Sequence, residues 1–72
     1  MQNMTMNKFA IETLYEKAVD VVRKTRRASL THLQRRMGVS YQDAARLIDM
    51  LEERGVIGSA SETGPREILL MS

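Results

Sequence analysis

Cysteine is absent from the sequence, so neither a disulfide framework nor a thiolate zinc site can stabilise the fold. No apolar run approaches the roughly 18 residues that a membrane-spanning helix needs. The opening letters MQNMTMNKFA also lack the charged and then apolar layout of a signal peptide. We therefore expect a cytoplasmic protein that is held together by apolar packing and makes no membrane contact through this chain.

Groups suited to catalysis are scarce as well. His32 is the only histidine and the acidic residues are scattered, so no nucleophile has an orienting base and no carboxylate pair has a defined separation. A GxxxxGK(S/T) loop is missing, which excludes ATP hydrolysis by that route. A chain of 72 residues also has little room for a cleft, because it buries only about 60% of the surface that its unfolded form exposes. The sequence predicts a binding module that is not an enzyme, with no cofactor and no metal.

Positive charge is concentrated between residues 23 and 46. This segment holds seven arginines and lysines against one acid, Asp43, and so has a net charge of +6, whereas the whole chain has only +2. Residues 47–67 carry five acids against two arginines, a net charge of −3. Such an asymmetry predicts one face that binds a polyanion, such as a nucleic acid.

The sequence predicts one domain, residues 11–72, behind a flexible tail of residues 1–10 that has no hydrophobic period. A first helix is predicted from about 13 to 26, because Thr13 and Glu16 have the spacing of a capping box. Its apolar positions recur at i, i+4, i+7 and i+8: Leu14, Ala18, Val21 and Val22.

Two further helices are predicted on either side of a tight turn. The stretch SLTHLQRRMG predicts a short second helix, with Ser29 as its N-cap and Gly38 as a left-handed end. The stretch SYQDAARLIDMLEERG predicts a third helix, with Ser40 as its N-cap and Gly55 at its end. Two helices joined by so short a turn form a helix-turn-helix unit.

The third helix is predicted to be amphipathic. At 100° per residue its apolar face consists of Tyr41, Ala44, Ala45, Ile48 and Leu51. The opposite polar stripe consists of Gln42, Arg46, Asp49, Met50 and Glu53. The first turns of this stripe are basic and the last turns acidic. Since the N-terminal part of the second helix in such a unit contacts base edges, we expect the basic half to approach DNA and the acidic half to point away.

The hydrophobic period changes after Gly55. VIG is a short apolar run, SASETGP is a loop of turn-forming residues, and REILLM is an extended run with Ile68 and Leu70 on one side. Two strands around a small loop form a wing. The predicted fold is therefore mainly α with a small β-hairpin, a three-helix winged helix-turn-helix.

Gln42 and Arg46 are the candidate base-reading side chains. Arginine can donate two hydrogen bonds to guanine O6 and N7, and glutamine can pair with adenine N6 and N7. The alternative is a solvated helix face on which both residues only confer solubility. The tight turn, the wing and the basic segment favour the DNA-reading interpretation.

Asp43 is an acid on a surface that is predicted to face phosphates. The favoured explanation is a capping box, in which its carboxylate accepts from the Ser40 backbone N–H while its own N–H donates to the Ser40 hydroxyl. Two alternatives stay open. One is an ion pair with Arg46 at i, i+3, and the other is a hydrogen bond accepted from cytosine N4.

Nearly the whole folded part, about residues 14–70, resembles a known family. The run LYEKAVDVVRKTRRASLTHLQRRMGVSYQDAARLIDMLEERGVIG and the later PREILL closely resemble the C-terminal γ domain of the FtsK/SpoIIIE family of bacterial DNA translocases. The resemblance implies a winged helix that recognises short, G-rich, polar chromosomal sequences, orients a hexameric motor and activates Xer recombinases. The implied partners are double-stranded DNA, a Xer-type recombinase and a translocase motor in cis or in trans, and the implied location is the nucleoid.

By this resemblance Gln34 and Arg35 match the QR of the family, and Tyr41, Arg46 and Arg66 match its tyrosine, its helix arginine and its wing arginine. The exposed ends of the second helix add candidate phosphate contacts, among them the arginines at 26, 27, 35 and 36 and the capping hydroxyl of Ser29. The predicted DNA-binding set is Arg26, Arg27, Ser29, Gln34, Arg35, Tyr41, Gln42, Arg46 and Arg66.

Two positions depart from the family pattern: Gln42 stands where the family has asparagine, and Asp43 where it has arginine. Both lie at the reading end, so DNA binding carries over more directly than base preference. Two other functions stay open, a free-standing phage or plasmid transcriptional regulator and a protein-interaction winged helix. The start of the chain and its end at Ser72 favour a free-standing protein over a translocase fragment.

Overall fold

Three helices surround one apolar core in the computed structural model, which describes residues 8–59 and 66–70. The helices are α1 (Lys8–Thr25), α2 (Leu30–Met37) and α3 (Tyr41–Glu53), and each contacts the other two. The largest fully buried side chains are Leu33, Leu47, Leu51, Ile57 and Val22. Each contributes about 1.5–3 kcal/mol relative to an exposed position. The prediction of a mainly helical fold is confirmed.

Helix α1 begins at Lys8, five residues earlier than predicted. Thr13 lies inside the helix and donates its hydroxyl to the carbonyl oxygen of Phe9 at 3.2 Å, so the predicted capping box at Thr13 is wrong. The helix extends because Ile11 is buried and adds one more apolar turn in register with Ala18. Residues 8–10 of the predicted tail are therefore helical, and the rest of that tail lies outside the described residues.

The residue that follows helix α1 has the left-handed conformation. Arg26 has a φ of 59° and is the only described non-glycine residue with a positive φ. Its N–H still donates to the carbonyl oxygen of Val22 at 2.8 Å. A left-handed residue just past a helix is a common way to end it, but glycine is the usual choice because a Cβ costs roughly 1–2 kcal/mol there.

The turn between α2 and α3 agrees with its prediction. Ser29 caps α2 by accepting the N–H of His32 at 3.0 Å. Gly38 ends α2 with φ 66° and ψ 35°, and its N–H donates to the carbonyl oxygen of Gln34. Ser40 then caps α3, so three residues separate the two helices. The capping side chains thus set both the length of the turn and the start of α3.

Helix α3 is buried over a wider arc than predicted. Three predicted core residues are buried: Ala44, Ile48 and Leu51. Leu47 is also fully buried, and Met50 is only 8% exposed, so the prediction that Met50 lies on the polar stripe is wrong. Tyr41 is 64% exposed, so its assignment to the apolar face is also wrong. Because α3 packs against both α1 and α2, more than one stripe of it is covered.

The segment after Gly55 pairs with residues near the end of the chain. Ile57 and Ile68 form an isolated antiparallel bridge, flanked by backbone hydrogen bonds from Gly58 N–H to the Glu67 carbonyl (2.9 Å) and from Leu69 N–H to the Val56 carbonyl (2.8 Å). The predicted alternation is confirmed, since the side chains at 68 and 70 pack against the core and the one at 69 is 42% exposed. Within residues 8–59 and 66–70 this pairing does not extend to a strand, and the predicted wing loop 60–65 lies outside them. The β-hairpin and the winged form remain predictions.

Candidate nucleic-acid interface

Five exposed arginines, here called the five free arginines, carry most of the positive charge around α2 and α3. They are Arg26, Arg27, Arg35, Arg36 and Arg46. Within residues 8–59 and 66–70 none of them forms an ion pair or a side-chain hydrogen bond. Their guanidinium groups are therefore available to an anionic ligand.

The other two basic residues of the same segment are partnered. Asp20 pairs with Lys24 at 3.1 Å and with Arg23 at 3.8 Å, both along the last turns of α1. These cations also lie at the negative end of the α1 dipole, where they stabilise the helix. The charge that is left for a ligand thus comes mainly from the α1–α2 connection, the end of α2 and the first half of α3.

His32 links the start of α2 to the end of α1. The hydroxyl of Thr25 donates its one proton to the carbonyl oxygen of Val21 at 2.8 Å. Nε2 of His32 lies 2.9 Å from the same hydroxyl oxygen and shares a hydrogen bond with it. His32 is half-buried, and its contact with Thr25 fixes the connection that carries Arg26 and Arg27.

The surroundings of His32 also set its charge. Partial burial lowers the pKa of its imidazole, and the nearby positive charges of Arg27 and Arg36 lower it further. Both effects disfavour the imidazolium. The pKa thus falls below 6.5, so the side chain is mainly neutral at pH 7.

An open groove, here called the α3 groove, runs along the first turns of α3 beside α1. It is lined by Ile11, Tyr41, Gln42, Asp43, Ala45, Arg46 and Asp49. Three predicted DNA-binding residues, Tyr41, Gln42 and Arg46, are thus brought together. Asp49 lines the same groove, although it was predicted to point away from DNA. Its spacing of three residues from Arg46 is the signal that could have found it.

Asp43 is half-buried at the first turn of α3, and its carboxylate has no hydrogen-bond or ion-pair partner within residues 8–59 and 66–70. Its backbone N–H donates to the Ser40 hydroxyl at 3.0 Å, which confirms one half of the predicted capping box. In the part of the chain that the structure describes, the carboxylate does not accept the Ser40 N–H and does not pair with Arg46. The predicted reciprocal bond and the alternative ion pair are therefore both wrong.

The remaining predicted site residues lie apart from the α3 groove. Arg26, Arg27 and Ser29 are in the α1–α2 connection, and Gln34 and Arg35 are near the end of α2, where Arg35 is exposed and Gln34 half-buried. They are candidates for contacts with the phosphate backbone of DNA, which position a protein on the duplex without reading its bases.

Arg66 makes contacts within the chain. Its Nη1 donates to the Glu52 carboxylate and to the carbonyl oxygen of Gly58, each at 2.9 Å. The guanidinium therefore ties the end of the chain to α3. Its predicted DNA contact stays a prediction. Both bonds use Nη1, so a DNA contact would use the other guanidinium nitrogens.

Metal and membrane sites are not found in the part of the chain that the structure describes. No three His, Asp or Glu side chains among residues 8–59 and 66–70 come together as metal ligands. None of the helices described in those ranges has the length and apolar character to cross a membrane.

Comparison with known proteins gives close matches over nearly the whole chain. Residues 10–71 match the model of a family described as the Ftsk gamma domain. The chain is 48% identical over 59 residues to the DNA translocase SpoIIIE of Bacillus subtilis (strain 168), and 44% identical over 59 residues to the DNA translocase FtsK of Rickettsia prowazekii (strain Madrid E). Each match covers 82% of this chain but 8% of the relative, so the chain spans less than a tenth of these relatives' length.

Proposed function

Because the chain belongs to the FtsK gamma domain family, we propose that it is a sequence-specific module that binds double-stranded DNA. The observation that carries this proposal is the α3 groove, where Gln42 and Arg46 lie together at the N-terminal end of the helix that follows the tight turn. That end of the second helix is the part that reads base edges in helix-turn-helix proteins. Arg46 is the guanine-reading residue, and Gln42 reads a neighbouring base.

The five free arginines supply the non-specific part of the affinity. They lie at both ends of α2 and on α3. No carboxylate within residues 8–59 and 66–70 forms an ion pair with them. Arginines of this kind neutralise phosphates, and the counterions that are released add to the affinity. The phosphate contacts also fix the register of a protein on the duplex. The N-terminus of α2, capped by Ser29, offers a further phosphate position.

Family membership also supports a finer proposal. The module recognises short, G-rich, polar sequences and so orients a translocase motor that is supplied in cis or in trans. The chain itself lacks the GxxxxGK(S/T) loop of such a motor and spans 8% of the length of these translocases. In the same proposal the module contacts a Xer-type recombinase and acts at the nucleoid in the cytoplasm.

Selection of bound sequences from random duplex DNA tests the proposal. The 72-residue chain is expected to enrich a G-rich, non-palindromic consensus, and Arg46→Ala is expected to lose the guanine preference. A palindromic consensus bound by a dimer would contradict the translocase-type function and support a transcriptional regulator. Absence of DNA binding even at low salt would support a protein-interaction module and overturn the proposal.

Salt dependence tests the electrostatic part separately. We expect the logarithm of the affinity to fall against the logarithm of the salt concentration with a slope between roughly −3 and −6, from about 0.9 per neutralised phosphate. Arg27→Ala is expected to reduce this slope by about one unit. Arg23→Ala is the matched control, because Arg23 already pairs with Asp20. Salt-independent binding would contradict the role of the five free arginines.

A further inference from the structure

The carboxylate of Asp43 has no hydrogen-bond or ion-pair partner among residues 8–59 and 66–70. Its position on the first turn of α3 is half-buried and lines the α3 groove between Gln42 and Arg46. The Ser40 hydroxyl caps the helix by itself, through the backbone N–H of Asp43. The two intramolecular partners that the spacing predicts, the Ser40 N–H and the Arg46 guanidinium, are not used in the described part of the chain. An acceptor with two oxygens therefore belongs to the lining of the α3 groove, the proposed DNA-reading surface.

An acid at this place has an electrostatic cost in the complex. The α3 dipole favours a negative charge in the first turn, but the same charge repels phosphates and weakens every complex in which it stays unpaired. The cost disappears only where the carboxylate accepts a hydrogen bond from the DNA. The donors that DNA presents in the major groove are the amino groups of cytosine and adenine.

Base-edge chemistry selects between these two donors. Cytosine presents only its N4 amino group in the major groove, whereas adenine presents its N6 amino group beside the acceptor N7. Guanine and thymine present acceptors at the corresponding positions. A carboxylate, which has acceptors only, therefore matches cytosine best. It fits adenine less well, because the acceptor N7 lies beside the N6 amino group, and the acceptors of guanine and thymine repel it.

We propose that Asp43 is a specificity-determining residue, whose carboxylate accepts a hydrogen bond from the N4 amino group of a cytosine in the major groove. This inference rests on the proposed function, since it assigns one base of the DNA site that the α3 groove reads. In the α3 groove, Asp43 then supplies an acceptor for cytosine and Arg46 supplies donors for guanine.

The test is the selection from random duplex DNA, carried out in parallel with wild type, Asp43→Ala and Asp43→Asn. One position of the wild-type consensus is expected to prefer cytosine by about tenfold over the other bases. Asp43→Ala is expected to flatten that position and leave the others unchanged. Asp43→Asn is expected to move the preference at that position toward adenine, because an amide can pair with both N6 and N7.

Ser40→Ala is the matched control, because it weakens the α3 cap and leaves the Asp43 carboxylate in place. It is expected to lower the melting temperature without changing the preferred base. If it flattens the same position, Asp43 acts through the geometry of the helix and the proposal is overturned. If Asp43→Ala does not fold, Asp43→Asn decides, since it keeps the shape of the side chain while it removes the charge and replaces one acceptor oxygen by an amino donor.

Two further results would overturn the inference. If both Asp43 variants bind all sequences more tightly and keep the wild-type consensus, the aspartate only repels phosphates. If wild type selects no consensus at all, the proposed function fails together with this inference. A wild-type consensus that does not depend on residue 43 would overturn the inference alone and leave the proposed function standing.

Discussion

Arg54 donates two parallel hydrogen bonds to the carboxylate of Glu12, with N···O distances of 3.0 and 2.6 Å, although 42 positions separate the two residues. The guanidinium carbon of Arg54 also lies 4.4 Å from the centroid of the Tyr15 ring. The hydrogen bonds with Glu12 raise the pKa of Arg54 above its usual value. These contacts join the end of α3 to the first half of α1.

Arg54→Ala removes the ion pair with Glu12 and is expected to lower the melting temperature. The decrease is expected to be small, because the pair is partly exposed and water screens it. Arg54→Lys is expected to restore only part of the loss, since an ammonium cannot make the two-pronged contact with Glu12. Thermal unfolding followed by circular dichroism measures both variants. Arg35→Ala is the control, and an Arg54→Ala melting temperature equal to wild type would contradict the role of the pair.

Loss of the Ser40 hydroxyl is expected to cost about 1 kcal/mol of unfolding free energy, because the Asp43 N–H loses its acceptor. Ser29→Ala is expected to have a similar effect at the start of α2, where the His32 N–H is the donor. Urea denaturation measures both losses. Thr31→Ala, an exposed substitution within α2, is the control and is expected to have little effect. Equal stability of Ser40→Ala and wild type would show that the cap is not needed.

Arg26→Gly is expected to stabilise the fold and to weaken DNA binding. Glycine relieves the left-handed strain at a φ of 59°, which gives up to about 1 kcal/mol. The same change removes one of the five free arginines and is expected to reduce the salt slope by about one unit. Arg26→Lys keeps both the charge and the strain and serves as the control. A glycine variant that is less stable than wild type would contradict the strain argument.

Glu52 is expected to make stability sensitive to acid. A hydrogen bond from Arg66, with a further one from Ser59, holds the pKa of this carboxyl below its ordinary value of 4.5. Because the pKa is lowered in the folded state, the contribution is present above the unfolded value and is lost as the pH falls through the folded value. Urea denaturation between about pH 5 and pH 3 is expected to show a smaller loss of stability for Glu52→Gln than for wild type. The neighbouring change Glu53→Gln is the control, and equal slopes for Glu52→Gln and wild type would refute the linkage.

His32 is expected to destabilise the fold when it is protonated. Its folded pKa lies below 6.5, first because of burial and then because of Arg27 and Arg36. The neutral side chain is favoured in the fold, so its contribution is present above the unfolded value and is lost as the pH falls through the folded one. Between about pH 7.5 and pH 5, wild type is expected to lose more stability than His32→Gln. NMR titration of the imidazole protons checks the direction of the shift, and a pKa above 6.5 would contradict it.

Local signals in the sequence predicted the helix ends around the turn. Ser29, Gly38 and Ser40 act on backbone groups within four residues of themselves, so their roles can be derived from residue type and spacing alone. The apolar periods of α1 and α3 and the alternation of Ile68 and Leu70 are also short-range. They predicted five of the twelve buried hydrophobic residues (Ala18, Val22, Ala44, Ile48 and Leu51) and the packing of Ile68 and Leu70 against the core. The family resemblance, carried by one long run and the later PREILL, is confirmed by the match over residues 10–71.

The sequence by itself therefore determined the three helices, the N-caps of α2 and α3, the family and the position of the basic segment. Only the tertiary structure decided that Met50 is buried and Tyr41 exposed, because both depend on which helices cover α3. It also decided that Arg54 pairs with Glu12 and Arg66 with Glu52, and that the carboxylate of Asp43 stays without a partner in the described part of the chain. The physical reason is range: a cap or a period acts over one or two helical turns, whereas a buried face or an ion pair depends on distant residues that meet only when the helices pack.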